Sequence, residues 1–288
     1  MNIALFGYGK MGKMIEQIAQ NRGHTIVAKI DVDSGDIDYS QMDVAIDFSM
    51  PDAAFDNISG CLRHGVPVIC GTTGWLDKYD DASALCEKEK GAFIHASNFS
   101  LGVNVFFELN IHLARMMRSL NQYRVTMEEI HHTQKLDAPS GTAITLAEGI
   151  MQNSNYKGWE LRDSDGSRSS EIIGKSEMAG DSTTTGKSET TGDSDGSRSS
   201  EMAGDSNVLR ETGGHTIPVT SKRIGNTPGT HSVDYKSEID TLEIKHTAHN
   251  REGFALGAVI AAEWIQDKTG VFTMKDVLGL KENPEPPG

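Results

Sequence analysis

The spacing of apolar residues changes once along this chain, close to residue 101. In the first hundred residues, short apolar runs alternate with stretches in which apolar residues recur at helical spacing. Apolar runs separated by helices are typical of parallel strands that are covered on both faces. The pattern predicts an α/β domain with strands at residues 2–6, 25–30, 44–49, 66–70 and 92–96 and helices at 52–64 and 77–89.

After residue 101 the apolar positions follow a different pattern. A long amphipathic helix is predicted at residues 103–117, and a shorter helix begins at Ser140 and ends near Met151. The accompanying strands alternate apolar and polar residues, at 123–130, 216–224, 231–237 and 241–247. Because alternation is typical of a sheet with one covered face, this half predicts an α+β domain with an open antiparallel or mixed sheet.

A glycine motif follows the first strand. Residues 7–12 read Gly-Tyr-Gly-Lys-Met-Gly, which is G-x-G-x-x-G. Glycines at this spacing allow a tight turn, close approach of the main chain to a pyrophosphate, and close packing of helix on strand. Since a strand precedes the motif and a helix and a second strand follow it, we predict a Rossmann-type dinucleotide site. Its residues are Gly7, Tyr8, Gly9, Lys10, Met11 and Gly12.

The second strand ends at Asp31. An acid about twenty residues beyond the glycine motif typically binds the ribose hydroxyls of NAD. No arginine follows Asp31, and a 2′-phosphate would meet the carboxylates of Asp31 and Asp33. The sequence therefore predicts NADH or NADPH as the cofactor and favours NADH.

Residues 128–143 concentrate side chains that can carry out chemistry. His131 and His132 are adjacent, and Lys135 follows them. Histidine exchanges protons near neutral pH, and lysine supplies a point charge whose pKa falls readily on burial. The sequence Pro-Ser-Gly-Thr at 139–142 then begins a helix, whose first N–H groups suit a carboxylate or a phosphate. This combination predicts a pocket for a small anionic substrate beside a proton donor.

Each of these residues also has an ordinary structural explanation when it is taken alone. A histidine on a strand is often packed or exposed, Lys135 could lie on the surface, and Ser-Gly-Thr could be a simple helix cap. The combination within sixteen residues favours a functional site. His246 and His249, three apart on a predicted strand, point to opposite faces, so we predict no metal site.

The sequence EIHHTQKLDAPSGTA at residues 129–143 resembles the signature of the dihydrodipicolinate reductase family. The resemblance extends over nearly all of the chain outside residues 163–206. It implies NAD(P)H-dependent reduction of a cyclic imine-type dicarboxylate, 4-hydroxy-tetrahydrodipicolinate, in lysine and diaminopimelate biosynthesis. Two alternatives stay open: another two-domain Rossmann dehydrogenase of a small carboxylate, and a nucleotide-sensing module without catalysis.

The resemblance also implies roles for individual residues. His131 and Lys135 match the catalytic pair, with Lys135 favoured as the proton donor. The residues that match substrate contacts are His132, Ser140, Gly141 and Thr142. Besides the glycine motif and Asp31, the residues that match cofactor contacts are Gly71, Thr72, Thr73, Ser97, Asn98, Phe99, Ser100, Arg251 and Phe254.

The family resemblance implies a discontinuous nucleotide domain. Residues 1–101 and 252–288 would form the dinucleotide-binding domain, because an apolar helix at 254–265 returns to it. Residues 102–251 would form the domain for substrate binding and oligomerisation, through which family members usually assemble as homotetramers. We therefore expect a homo-oligomer.

Residues 163–206 fit neither domain. These 44 residues contain no aromatic residue, and DSDGSRSSE and EMAGDS each occur twice within them. A sequence this polar buries too little apolar surface to offset the entropy that it loses on ordering. We therefore predict that residues 163–206 are a disordered insertion.

Composition narrows the classes of partner and compartment. The net charge of −14 argues against nucleic acid or an anionic membrane as a partner. No run reaches the roughly 18 apolar residues of a membrane span. Three cysteines without a C-x-x-C pair are typical of a reduced cytoplasm.

Overall fold

A computed structural model of the chain describes residues 1–31, 34–162, 168–175, 215–250 and 252–280. Within these residues the chain forms two six-stranded sheets. The strands of the first sheet are β1 (Asn2–Phe6), β2 (Thr25–Ile30), β3 (Val44–Asp47), β4 (Val68–Cys70), β5 (Ala92–His95) and β12 (Gly270–Phe272). Those of the second are β6 (Arg124–His131), β7 (Gly158–Arg162), β8 (Arg168–Lys175), β9 (Thr216–Arg223), β10 (Gly229–Lys236) and β11 (Thr241–Ala248).

Seven α-helices connect and cover these sheets within the described residues. They are α1 (Lys10–Asn21), α2 (Pro51–Arg63), α3 (Tyr79–Glu89), α4 (Leu101–Met117), α5 (Gly141–Asn153), α6 (Glu252–Trp264) and α7 (Met274–Val277). None of the helices in the described part of the chain combines the length and the apolar character needed to cross a membrane.

The first sheet is parallel throughout, in the order β12-β5-β4-β3-β1-β2. Alternate residues of one strand face opposite sides of it. On one side, Leu5 of β1 packs in a cluster with the apolar face of α6, including Val259. On the other, Phe6 packs in a cluster with α2 and α3, including Ile58. Burial on both sides explains why the strands are almost entirely apolar.

The second sheet is mixed, in the order β11-β10-β6-β9-β7-β8. The pairs β6–β9 and β7–β9 are parallel, whereas β6–β10, β10–β11 and β7–β8 are antiparallel. Val125 and Met127 of β6 are buried in a cluster with residues of α4 and α5, among them Leu146. The intervening residues of β6 lie on the opposite face and are partly exposed. Both predicted sheets, parallel and open mixed, are confirmed.

The structure departs from the prediction at residues 168–175. They lie inside the stretch that we predicted to be disordered, yet they form β8, antiparallel to β7. The stretch has its two isoleucines here, Ile172 and Ile173, and β-branched residues favour a strand beside an unpaired edge. The prediction is therefore wrong for these eight residues, and the rest of 163–206 lies outside the described residues.

Candidate active site

A cleft of about 840 Å³ lies between the loops of the two sheets. The first sheet contributes residues that follow its strands, such as Phe48, Thr73 and Asn98. The second contributes the segment that follows β6. All six residues predicted for catalysis and substrate binding line the cleft: His131, His132, Lys135, Ser140, Gly141 and Thr142.

The start of α5 lines one side of the cleft. Ser140 caps this helix, because its hydroxyl accepts a hydrogen bond from the N–H of Ala143 at 3.2 Å. No atom lies within 4 Å of the position that a Cβ on Gly141 would occupy. The first turn of a helix has N–H groups without intrahelical partners and a positive dipole end. The arrangement therefore suits an anionic group placed over Gly141 and Thr142.

Glu129 is a buried carboxylate directly behind the cleft, with its side chain fully excluded from solvent. The Ser140 N–H donates to both of its oxygens, at 3.1 and 3.0 Å, and the Ser221 hydroxyl donates to Oε1 at 2.6 Å. Burial by itself raises the pKa of Glu129, but hydrogen bonds from His231, Ser140 and Ser221 outweigh it, so the pKa is lowered. Glu129 is thus a fixed negative charge at neutral pH.

His131 ends β6 beside this carboxylate. Its Nδ1 lies 3.5 Å from Oε2 of Glu129, and its ring meets the ring of His231 edge to face at 5.0 Å. Burial lowers the pKa of His131 to about 4, as do the charges of His231, Lys135 and Arg223, although Glu129 opposes the shift. His131 is therefore neutral at neutral pH and can accept a proton or a hydrogen bond.

This pKa predicts how stability depends on pH. An unfolded histidine binds its proton near the ordinary value of 6.5, whereas the folded His131 does so only near 4. Between these values the unfolded state holds more protons, so the free energy of unfolding should rise with pH and then level off above 6.5. The lowered pKa of Glu129 acts in a separate window, below its ordinary value of 4.5. Urea unfolding at a series of pH values measures the slope.

His131→Gln should reduce that slope without abolishing it, because burial also lowers the pKa of His95 and His246. His112→Gln should leave the slope as it is. His112 is exposed on α4 and controls for the loss of a histidine as such. An unchanged slope in His131→Gln would contradict the assignment of a depressed pKa to this residue.

Lys135 approaches the cleft from the loop between β6 and α5. Its Nζ lies 2.8 Å from Oδ2 of Asp137, and its side chain is 23 % exposed. This hydrogen bond and the charge of Lys135 lower the pKa of Asp137. Lys135 thus presents a cation to the cleft within reach of solvent and of a bound anion.

A second cavity, of about 530 Å³, continues from the glycine motif. It is lined by Gly7, Tyr8, Gly9 and Asp31, and Phe48 lines both this cavity and the cleft. Gly7 has φ +83°, and a Cβ there would lie 2.3 Å from the carbonyl oxygen of Phe48. The motif therefore keeps open a cradle that a side chain would fill, as a dinucleotide requires.

A charged cluster surrounds the hydroxyl of Tyr8, a residue of the glycine motif that lines this second cavity. Lys29 Nζ lies 2.8 Å from Oε1 of Glu16 and donates to the Tyr8 hydroxyl at 3.0 Å. The hydrogen bond to Glu16, followed by that to Tyr8, raises the pKa of Lys29, and the pKa of Glu16 is lowered in return. The cation beside the glycine motif is thus already balanced by an acid.

Comparison with known proteins identifies the family. The sequence model described as dihydrodipicolinate reductase, N-terminus, matches residues 1–99, and the one described as dihydrodipicolinate reductase, C-terminus, matches residues 102–278. The chain belongs to the dihydrodipicolinate reductase family. The resemblance predicted from residues 129–143 is confirmed.

Individual relatives agree with this family. The chain is 51 % identical over 281 residues to the 4-hydroxy-tetrahydrodipicolinate reductase of Christiangramia forsetii, covering 96 % of this chain and 98 % of the relative. It is 30 % identical to that of Alkaliphilus metalliredigens, covering 97 % and 100 %. The solved structure of a dipicolinate-bound dihydrodipicolinate reductase from Paenisporosarcina sp. TG-14 shares the fold, with a TM-score of 0.64, 20 % identity, and coverage of 95 % and 97 %.

Some residues predicted to bind the cofactor in this dihydrodipicolinate reductase family member have structural contacts. The Thr72 hydroxyl donates to buried Asp47 at 2.6 Å. Phe99 is buried against Phe48, with ring centroids 5.9 Å apart, and Ser100 caps α4. Arg251 lies outside the described residues. Of the remaining predicted residues, Met11, Thr73, Ser97, Asn98 and Phe254 line the cleft, Lys10 and Gly12 lie in α1, and Gly71 lies against the Phe48 ring.

The sequence did not predict the residues that contact the signature segment from outside the cleft, namely Glu129, Arg223 and His231. Glu129 stands two residues before His131 on the same face of β6, which was a readable signal. Arg223 and His231 are remote in sequence, and nothing local marks them. By distance alone, Glu129, His131 and His231 could hold a metal ion, since one ligand atom of each lies within 4.8 Å of the others. The Arg223 guanidinium, 3.3 Å from Glu129, opposes a further cation there.

Proposed function

We propose that this protein catalyses NAD(P)H-dependent reduction of 4-hydroxy-tetrahydrodipicolinate to tetrahydrodipicolinate in lysine and diaminopimelate biosynthesis. One observation carries the proposal: the catalytic and substrate residues implied by the family signature share a single cleft with residues of the nucleotide side. The relatives that the chain matches carry the name of this reductase. The test is oxidation of NADH or NADPH in an assay coupled to the synthase that makes the substrate. Cofactor binding without turnover would instead support a nucleotide sensor.

The residues of the cleft divide the work between binding and proton transfer. When bound, the reduced nicotinamide supplies the hydride. The N–H groups of Gly141 and Thr142, with the cap of Ser140, would hold one carboxylate at the start of α5. His132 would hold the other carboxylate. The substrate is therefore oriented by groups that face its two acidic ends.

Proton donation is assigned to Lys135. Lys135 lines the cleft, whereas neighbouring His131 is neutral at neutral pH because its pKa is near 4. A neutral imidazole is a poor general acid, and the ammonium of Lys135 can donate to the carbon beside the one that receives hydride. His131 would accept a hydrogen bond and shape the charge around Lys135.

The nucleotide site supports NADH as the preferred cofactor. Asp31 lines the second cavity, and the nearby cation of Lys29 is paired with Glu16. The 2′-phosphate of NADPH would be repelled by the Asp31 carboxylate. The positive charge of Lys29 would not offset this repulsion, because Lys29 is already paired with Glu16. We expect NADH to bind at least as tightly as NADPH, which fluorescence titration of each cofactor measures.

Glu16→Gln should narrow this preference. Releasing Lys29 from its acid partner should raise NADPH affinity by about 2- to 5-fold with little change for NADH, the range of an exposed ion pair. Glu263→Gln is the matched control, since Glu263 pairs with Arg22, which directly follows α1, and neither residue lines either cavity. A large NADPH preference in the unaltered protein would show that Asp31 does not decide the choice.

The proposal also covers the domain boundaries, the oligomeric state and the cellular compartment of the protein. Pairing of β12 with β5 supports a dinucleotide-binding domain of residues 1–101 and 252–288, leaving 102–251 to the substrate domain. Exposed apolar residues at the open sheet, including Leu242, support assembly through it as a homotetramer. The three cysteines are free and buried, which supports a cytoplasmic location. Analytical ultracentrifugation tests the tetramer.

A further inference from the structure

The side chain of Arg223 connects the loop that carries Lys135 to the second sheet. Arg223, the last residue of β9, donates from Nε to the carbonyl oxygen of Lys135 at 3.1 Å. Its Nη2 donates to the carbonyl oxygen of Asp137. On its own strand, Nη1 donates to the Ser221 hydroxyl at 2.7 Å and to the Lys222 carbonyl at 3.0 Å. One guanidinium therefore fixes the main chain on both sides of residue 136.

Glu129 ties down the far end of the same loop. Its carboxylate accepts the N–H of Ser140, where the loop enters α5, and lies 3.3 Å from Nη2 of Arg223. The Ser221 hydroxyl donates to Oε1 of Glu129 and accepts from Arg223, so it joins the two charges. The loop is thus held in its middle and at its end by one ion pair, between buried Glu129 on β6 and half-buried Arg223 on β9.

Neither Arg223 nor Glu129 lines the cleft. Both contact the catalytic segment through its main chain, and Glu129 also lies 3.5 Å from Nδ1 of His131. Because neither side chain lines the cleft, they act on the reaction by setting where Lys135, His131 and the start of α5 lie and what charge surrounds them. Reaction rates are sensitive to such placement, and a misplacement of about 1 Å can cost 10²-fold.

We propose that Arg223 and Glu129 are positioning residues that set the Lys135 ammonium for proton donation. The inference rests on the proposed function of Lys135 as donor. Arginine suits this place because its planar guanidinium donates in several fixed directions at once. A lysine at 223 would keep the positive charge beside Glu129 but could not hold the Lys135 and Asp137 carbonyls together.

The test is a double-mutant cycle with Lys135. Arg223→Lys should lower kcat by about 10- to 100-fold while the Kd of NADH stays unchanged. In a Lys135→Ala background the same substitution should lower kcat by less than about 2-fold, because the group it positions is gone. Lys222→Met is the matched control: it removes a neighbouring cation of β9, paired with Glu128, and should leave kcat unchanged.

A solvent isotope effect provides a second reading of the same cycle. If Arg223→Lys displaces the donor, proton transfer becomes slower relative to hydride transfer, so the effect of D₂O on kcat should grow. Glu129→Gln should show the same increase in the D₂O effect. It replaces Arg223→Lys in the cycle if that variant does not fold, which thermal unfolding of each variant will show.

Two results would overturn the inference. One is an equal loss of kcat from Arg223→Lys with and without Lys135, and the other is a loss that appears only as weaker NADH binding. Absence of reductase activity in the unaltered protein would instead refute the proposed function, so the two failures are distinguishable.

Discussion

Replacing Lys135 with alanine is expected to lower turnover by roughly 10²–10⁴-fold, the usual contribution of a general acid. Lys135 lines the cleft together with His131, whose pKa is too low for it to act as the acid at neutral pH. Steady-state kinetics of NADH oxidation measures the loss. NADH affinity should change little, because Lys135 lies on the substrate side.

His132→Ala is the comparison that distinguishes loss of a proton donor from loss of a substrate contact. His132 lines the same cleft but is assigned to a carboxylate, so its loss should raise KM more than it lowers kcat. A planar pyridine dicarboxylate should inhibit the unaltered protein competitively by occupying the anion site at the start of α5. Full turnover in Lys135→Ala would remove Lys135 from the mechanism.

Gly7→Ala is expected to weaken NADH binding by roughly 5- to 150-fold, from about 1–3 kcal/mol of backbone strain. Gly7 has φ +83°, and the added Cβ would lie 2.3 Å from the carbonyl oxygen of Phe48, which cannot move without shifting the main chain after β3. The shifted segment lines both the nucleotide cavity and the cleft. Titration of NADH against intrinsic fluorescence measures the change.

Gly23→Ala separates strain from site geometry. Gly23 has the same φ of +83°, but no atom lies within 4 Å of the added Cβ. This variant should lose stability to a similar backbone cost and keep its NADH affinity. If both variants bound NADH equally well, Gly7 would not shape the nucleotide site.

Local sequence was sufficient for elements whose pattern is complete within themselves. The alternation of β6 and the cap at Ser140 predicted where His131 and the start of α5 would lie, and the structure agrees. By contrast β12, three residues long and half-buried, has no readable period. Its strand conformation depends on pairing with β5, which is distant in the chain.

The supporting charges could not be predicted for a related reason. Arg223 is an ordinary strand-end arginine in the sequence, and its role arises only because β9 pairs in parallel with β6 and brings residue 223 opposite His131. For Thr72, the sequence predicted the position but not the contact. Its match to a cofactor position was readable, but its contact with Asp47 depends on the order of strands in the sheet.

The first sheet cannot be completed until β12, which ends at Phe272, has left the ribosome. β12 closes the edge of β5, pairing Gly270 with Ala92 and Phe272 with Ile94, and α6 covers the apolar face around Leu5 and Ile46. Before these segments emerge, a nascent chain exposes an unpaired strand edge and an uncovered apolar surface, both of which promote aggregation. The second sheet can therefore form while the first is still incomplete, and a chain stalled before residue 252 would be a ready client for chaperones.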